Sequence, residues 1–292
     1  MKKTLFVAFS AIGIVVASLL VVACSSDSNS LDVQANKVVQ RVAEDTSNED
    51  AWTDFYAEVE ALNARYAAST GNMSRIGSGA FDNIIMRPDP IAPDIAGRDI
   101  VGAIYGAEMG RSNSNGDNFS LRWTVIPAVW YSYMAFAAAQ DDDSEYTISI
   151  RNIQTIGDLT NSHPCVALGK QHNQLLSVML NANFDSSNMS NRQIIQAFIN
   201  KYEQLFSAIP ANVENQLLNM EAGRTPRMTI NVQDANQRFR TATYSMTIST
   251  ARSYTDDYLD VVNASQVDDY DKLQMCINAV MAYYSGALWV VQ

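Results

Sequence analysis

Residues Asp99 to Gly110 read DIVGAIYGAEMG, with glycines at 102, 106 and 110. A repeat of four places all three on one face of a helix. Without a Cβ they let a second helix come very close, the small-xxx-small logic of membrane helix pairs. Each glycine costs a helix roughly 1 kcal/mol relative to alanine, so three in register point to a contact worth that cost. A polar loop, Arg111 to Asn118, separates this helix from the apolar run TVIPAVWYSYMAFAAA, Thr124 to Ala139. That run is short for a bilayer span and carries Pro127, Ser132 and two tyrosines. It reads as a buried core helix rather than a membrane segment.

Outward from this pair, apolar residues keep helical spacing over most of the chain. Leu31 to Ala43 forms one such segment. Ser47-Asn48-Glu49-Asp50 has the hydroxyl and acid of a helix start, ahead of a stripe of Trp52, Phe55, Tyr56, Val59, Leu62 and Tyr66. Ser69 to Pro93 is punctuated by glycine and proline and reads as irregular. Tyr146, Ile148 and Ile150 alternate with polar residues as a short strand does. Helices are expected from Pro164 to Asn183, after Ser190-Asn191-Arg192-Gln193, from Ala211 to Glu221, and from Asp268 to Ser285. Arg227 to Thr255 is rich in Thr and Ser, and only Met228 to Val232 reads there, as extended chain. The expected fold is mainly α: an irregular multi-helix bundle with long loops and at most one or two short strands.

The amino terminus gives an address. Lys2 and Lys3 precede a nearly unbroken apolar run from Leu5 to Val22, the pattern of a secretory signal. Val21-Val22-Ala23-Cys24 resembles the lipobox of bacterial lipoproteins, in which the cysteine thiol takes a diacylglycerol and the chain is cut before it. The run is long enough to span a bilayer, but the following Ser-Ser-Asp-Ser-Asn-Ser reads as a tether rather than a stop-transfer flank. Residues 1–23 are thus expected to be a signal peptide, 24–45 a lipidated tether with a first helix, and 46–292 a single helical domain. At ~0.8 kcal/mol per buried methylene, several acyl chains hold a protein to membrane almost irreversibly. Ser25 after the cysteine favours the outer membrane. Asp27 alone is sparser than the acidic cluster of a surface-export tether.

The chain carries a formal charge of −11, and −13 once Lys2 and Lys3 leave with the leader. So acidic a protein has little with which to neutralise phosphate, and no nucleic-acid partner is expected. Membrane attachment then falls to the N-terminal lipid. Cys165 and Cys276 each lie in an apolar helical stripe and read as buried free thiols, although an oxidising compartment would permit a disulfide. Two cysteines with two distant histidines make no zinc site, and no cofactor is implied.

Val166 to Leu176, VALGKQHNQLL, is the most distinctive stretch after the leader. On a helix His172 shares a face with Leu168, Gly169, Leu175 and Leu176, and Asn173 lies at its edge. His172 and Asn173 are therefore candidates for a structural polar core, since a buried imidazole needs partners for both nitrogens. An imidazole buried neutral has a lowered folded pKa, so this reading predicts destabilisation in acid. A Cys165–His172 dyad fails because two helical turns separate the residues by roughly 10 Å. His163, before the helix-starting Pro164, reads as a cap or turn residue.

Three patches of the chain resemble a group of uncharacterised lipoproteins from Bacteroidetes-type bacteria. They are Asp99 with Gly102, Gly106 and Gly110; Gly169 with His172 and Asn173; and Ser285 with Trp289 near the C-terminus. The resemblance implies a lipid-anchored envelope protein and carries no catalytic residue. No nucleophile elbow, H-E-x-x-H or phosphate loop is present. The reading is a cell-envelope protein of binding or structural type. Its rival is a membrane-active protein that inserts residues 99–139 as a helical hairpin. An enzyme working through Asp256, Asp257, Asp268 or Asp269 is a third, weaker option, because these acids suit helix starts.

Overall fold

The computed structural model describes residues 48–67, 91–113, 120–141, 148–182, 184–220, 226–243 and 246–291, all within the compact unit Thr46–Gln292. The leader with Cys24, the helix expected over Leu31 to Ala43, and the acidic residues 142–145 lie outside the described residues. The fold is mainly α, with nine helices among the described residues: α1 (48–67), α2 (Ile91–Asn113), α3 (Leu121–Asp141), α4 (Cys165–Asn181), α5 (Asn191–Leu205), α6 (Ala211–Leu217), α7 (Ile230–Thr243), α8 (Ile248–Ala264) and α9 (Asp269–Leu288). Two three-residue strands, β1 (Ile148–Ile150) and β2 (Trp289–Val291), pair antiparallel with Ile148 opposite Val291 and Ile150 opposite Trp289.

The centre of the bundle is α9, which packs against α2, α4, α7 and α8. Every residue from Gln274 to Ser285 is buried. A helix covered on all sides carries apolar residues all round rather than on one stripe, as Met275, Cys276, Ile277, Val280 and Met281 do here. The two cysteines are free and buried, Cys165 on α4 and Cys276 on α9.

The tightest contact in the fold joins α2 to α3. A Cβ at Gly106 would collide with the carbonyl of Trp123 and stand 2.7 Å from the Cα of Thr124. One at Gly102 would stand 2.5 Å from the carbonyl oxygen of Pro127. Gly110 faces the Trp123 side chain instead, 2.9 Å from a Cβ to Cδ1. Pro127 lies inside α3 and has no N–H, so the Trp123 carbonyl lacks its usual partner four residues on. That bare carbonyl is the group against which Gly106 sits.

Several sequence expectations need correction. Helix α2 starts at Ile91 and takes Pro93 into its first turn, where a missing N–H breaks no helical bond. Helix α6 ends at Leu217 rather than Glu221, and α9 continues to Leu288 before the chain turns into β2. The segment 228–232 is not a strand. Arg227 to Thr255 instead enters two helices, and Thr247 caps the second by accepting from the Thr250 N–H. The low helix propensity of Thr, Ser and Asn hid them. Their buried residues nevertheless repeat at helical spacing: Val232, Ala235, Asn236 and Phe239, then Ala251, Tyr254, Tyr258 and Leu259. Among the described residues no helix is long and apolar enough to cross a membrane.

Gly106→Ala is expected to destabilise the protein by roughly 1–3 kcal/mol, because a backbone rather than a flexible side chain must yield. Gly97 and Gly286 are also helical but have open space where a Cβ would go. Gly97→Ala and Gly286→Ala should therefore stabilise by up to about 1 kcal/mol. Thermal melts of the three variants decide this; equal shifts in all three would remove the backbone contact as the reason for the glycines.

Candidate functional site

Asp99 lies one turn before Gly102, so the face that brings α2 against α3 also turns its carboxyl inward. There it meets Ser285 of α9, whose hydroxyl donates to Oδ2. Ser132 of α3 and the indole N–H of Trp289 face the same carboxyl without reaching hydrogen-bond geometry. From α4, His172 places Nε2 3.4 Å from Asp99 Oδ2. Asp99, Ser132, His172 and Ser285 are all completely buried.

On the other edge of the imidazole, Nδ1 lies 2.9 Å from Asn173 Oδ1. The amide of Asn173 donates through Nδ2 to the Tyr284 carbonyl at 2.8 Å. An amide oxygen only accepts, so the network puts the ring proton on Nδ1 and leaves Nε2 bare toward Asp99. Gly169, one turn earlier on α4, lets that helix settle onto α9: a Cβ there would collide with the Tyr284 ring and stand 2.9 Å from Val280 Cγ1. Gly169 therefore makes room for α9.

Burial pushes the Asp99 carboxyl up to about 7, against the Ser285 hydrogen bond and the nearby Ser132 and Trp289 donors, which favour the charged form. Burial likewise pushes His172 down to about 4, partly offset by its bond to Asn173. Between about pH 4 and about pH 7 these opposite shifts leave a protonated carboxyl beside a neutral imidazole, so in that range the core holds no net charge, which burial would penalise heavily.

A cleft of about 440 Å³ opens above this network, lined by the 153–158 segment, one face of α4 and Tyr284 of α9. Lys170, Asn173 and Gln174 reach it because positions three and four apart share a helix face. Asn173, only 3% exposed, is both the floor of the cleft and the outer link of the buried chain. At the mouth, Lys170 Nζ lies 3.0 Å from Asp158 Oδ2, with both side chains partly exposed. The Tyr284 hydroxyl accepts from the Leu159 N–H at 3.1 Å and donates weakly to Asp158 Oδ1 at 3.4 Å.

His172 and Asn173 thus sit together in the core, with Asp99 as a partner that position-by-position reading left among the residues of a resemblance. The glycines 102, 106 and 110 lie on α2, against α3. His163 is a turn residue, its Nδ1 accepting from the Cys165 N–H at 3.2 Å. The four candidate acids do not converge. Asp256 accepts from the backbone of Thr160 and Asn161, and Asp257 pairs with Tyr66 and Arg65. Asp268 caps α9 and Asp269 pairs with Lys272 along the helix. Among the described residues no group of three or more His, Cys, Asp or Glu is arranged to hold a metal ion. The cleft residues Asp158, Lys170, Gln174 and Tyr284 escaped sequence reading; the one available signal was Lys170, Asn173 and Gln174 at helical spacing beside the histidine.

No protein-family model, no curated protein and no solved structure matches the chain.

Beside Asp99, the acid sensitivity expected of a buried neutral His172 is opposed by a second buried group. The lowered folded pKa of His172 gives stability that is present above its unfolded value of 6.5 and lost as pH falls toward about 4. The raised folded pKa of Asp99 gives stability that is present below its unfolded value of 3.8 and lost as pH rises through about 7. Across the shared window the two contributions oppose, so the wild-type pair adds little slope. Asp99→Asn should leave the histidine exposed to acid, losing roughly 1–3 kcal/mol relative to wild type as pH falls from 6.5 toward 4. His172→Gln should lose stability in the other direction, as pH rises toward 7. Denaturant titrations of the three proteins across this range give the slopes; parallel slopes would rule out opposing shifts at Asp99 and His172.

Proposed function

We propose that this chain is a lipid-anchored cell-envelope protein of the outer membrane whose helical domain binds a small ligand in the cleft over Asn173. The anchor rests on the lipobox-like Val21-Val22-Ala23-Cys24 and the polar tether behind it. The binding role rests on one observation: a partly exposed polar cleft whose floor residue is held at both ends by a buried network. Fixing Asn173 in this way lowers the ordering cost of recognition, as preorganisation does in binding sites generally. Asp99 and His172 are sealed beneath that floor and act as its supports rather than as groups that meet a ligand.

The rival reading, insertion of residues 99–139 as a hairpin, would require Asp99 to leave Ser285 and His172 and enter lipid. The paired helices are already buried against α4 and α9. Nothing in the geometry favours that exchange.

Cys24→Ala should abolish incorporation of radiolabelled palmitate and release the protein from the outer-membrane fraction; equal label in both forms would end the lipoprotein reading. For the cleft, a small-molecule extract of the envelope should raise the melting temperature of the wild type, as any ligand of the folded state must. It should leave Gln174→Trp, which fills the cleft, unchanged. Equal stabilisation of both proteins would place binding elsewhere.

A further inference from the structure

The mouth of the cleft sets a cation and an anion side by side. Lys170 uses one of its three donors on Asp158, leaving two. Asp158 meets Lys170 through one oxygen and the Tyr284 hydroxyl through the other, and a carboxylate has about four acceptor positions. Both groups therefore retain capacity in the cleft. Their mutual attraction is that of an exposed, solvent-screened surface pair, so a ligand displaces or shares it at little cost.

This arrangement selects by charge. A ligand carrying only a carboxylate gains from Lys170 but meets Asp158 at nearly the same distance, since the two groups are 3.0 Å apart. A ligand carrying only an ammonium meets the reverse conflict. A ligand with both charges on neighbouring atoms satisfies both groups at once with charge-assisted bonds. Elsewhere on the cleft wall, the exposed side chains of Gln154 and Gln174 make no hydrogen bond with another described residue, and each offers one donor and one acceptor group to a neutral polar substituent. The cleft volume lies within the ~300–1,000 Å³ usual for small-molecule sites.

From this juxtaposition we infer that the cleft is a binding site for a free α-amino acid, whose carboxylate pairs with Lys170 and whose ammonium pairs with Asp158. The side chain of the amino acid lies toward Gln154, Gln174 and Ile153. The inference rests on the reading of the cleft as a ligand site, and it adds the ligand's class.

The test is calorimetric titration of the full-length protein in detergent with four probes. These are L-glutamine, its N-acetyl derivative (an anion), its carboxamide (a cation), and sucrose as a neutral polar control. Wild type should bind glutamine about tenfold or more tighter than either singly charged derivative. Lys170→Met should erase the preference for glutamine over the carboxamide, and Asp158→Asn the preference over the N-acetyl derivative. These exposed substitutions leave the core intact, and unchanged melting temperatures check that. Equal binding of a singly charged derivative, or binding of sucrose alone, overturns the amino-acid assignment while the cleft stands as a site. Failure of all four probes overturns the assignment too, and the extract experiment above then decides the cleft reading by itself.

Discussion

The architecture depends on the approach of two backbones, α2 at Gly102 and Gly106 and α3 at Pro127 and Trp123. Proline removes an N–H from α3 and leaves a carbonyl bare, and glycine removes the Cβ that would keep α2 away from it. Each residue is unfavourable in a helix by itself. Facing one another, they make a contact that neither helix could offer a conventional partner. The approach also fixes the rotation of α2, so that Asp99, one turn away, points at α9 rather than at solvent.

That rotation explains why a carboxyl can sit in the centre of the fold. Asp99 is reached by Ser285 from α9 and approached by His172 from α4, with Ser132 and Trp289 facing it. A lone buried carboxylate would cost several kcal/mol. Burial keeps the carboxyl protonated below about pH 7 beside a neutral imidazole, and Ser285 supplies a hydrogen bond. Such a cluster constrains packing, because a shift of α2 or α9 would separate Asp99 from Ser285, and one of α4 or α9 would separate Asn173 from the Tyr284 carbonyl.

The same network reaches outward. Asn173 is held by His172 on one side and the Tyr284 carbonyl on the other, and it is the floor of the cleft. The Tyr284 hydroxyl, at the opposite end of that residue, holds the Leu159 N–H and touches Asp158. Tyr284 therefore ties the deep network to the charged mouth, and the cleft inherits its rigidity from the core beneath it.

Much of the fold was legible in the sequence, because helical periodicity is a local property. The stripes of α1, α4, α5 and α9, the Ser190 capping box and the strand at Ile148–Ile150 follow from residues a few positions apart. Helices α7 and α8 were not legible, since Thr and Ser hold their helical form only through buried faces that other helices cover. The strand partner of β1 was equally hidden, because pairing Ile150 with Trp289 is a contact across most of the domain. For the site, the sequence determined that His172 and Asn173 lie on an apolar helix face and that the three glycines share another. Only the tertiary structure decided that Asp99 meets His172, that burial shifts the two groups in opposite directions, and that Lys170 and Asp158 stand together above them. Proximity of residues on different helices depends on how closely and at what rotation those helices pack. That is settled by backbone contacts such as Gly106 on Trp123, which no single helix contains.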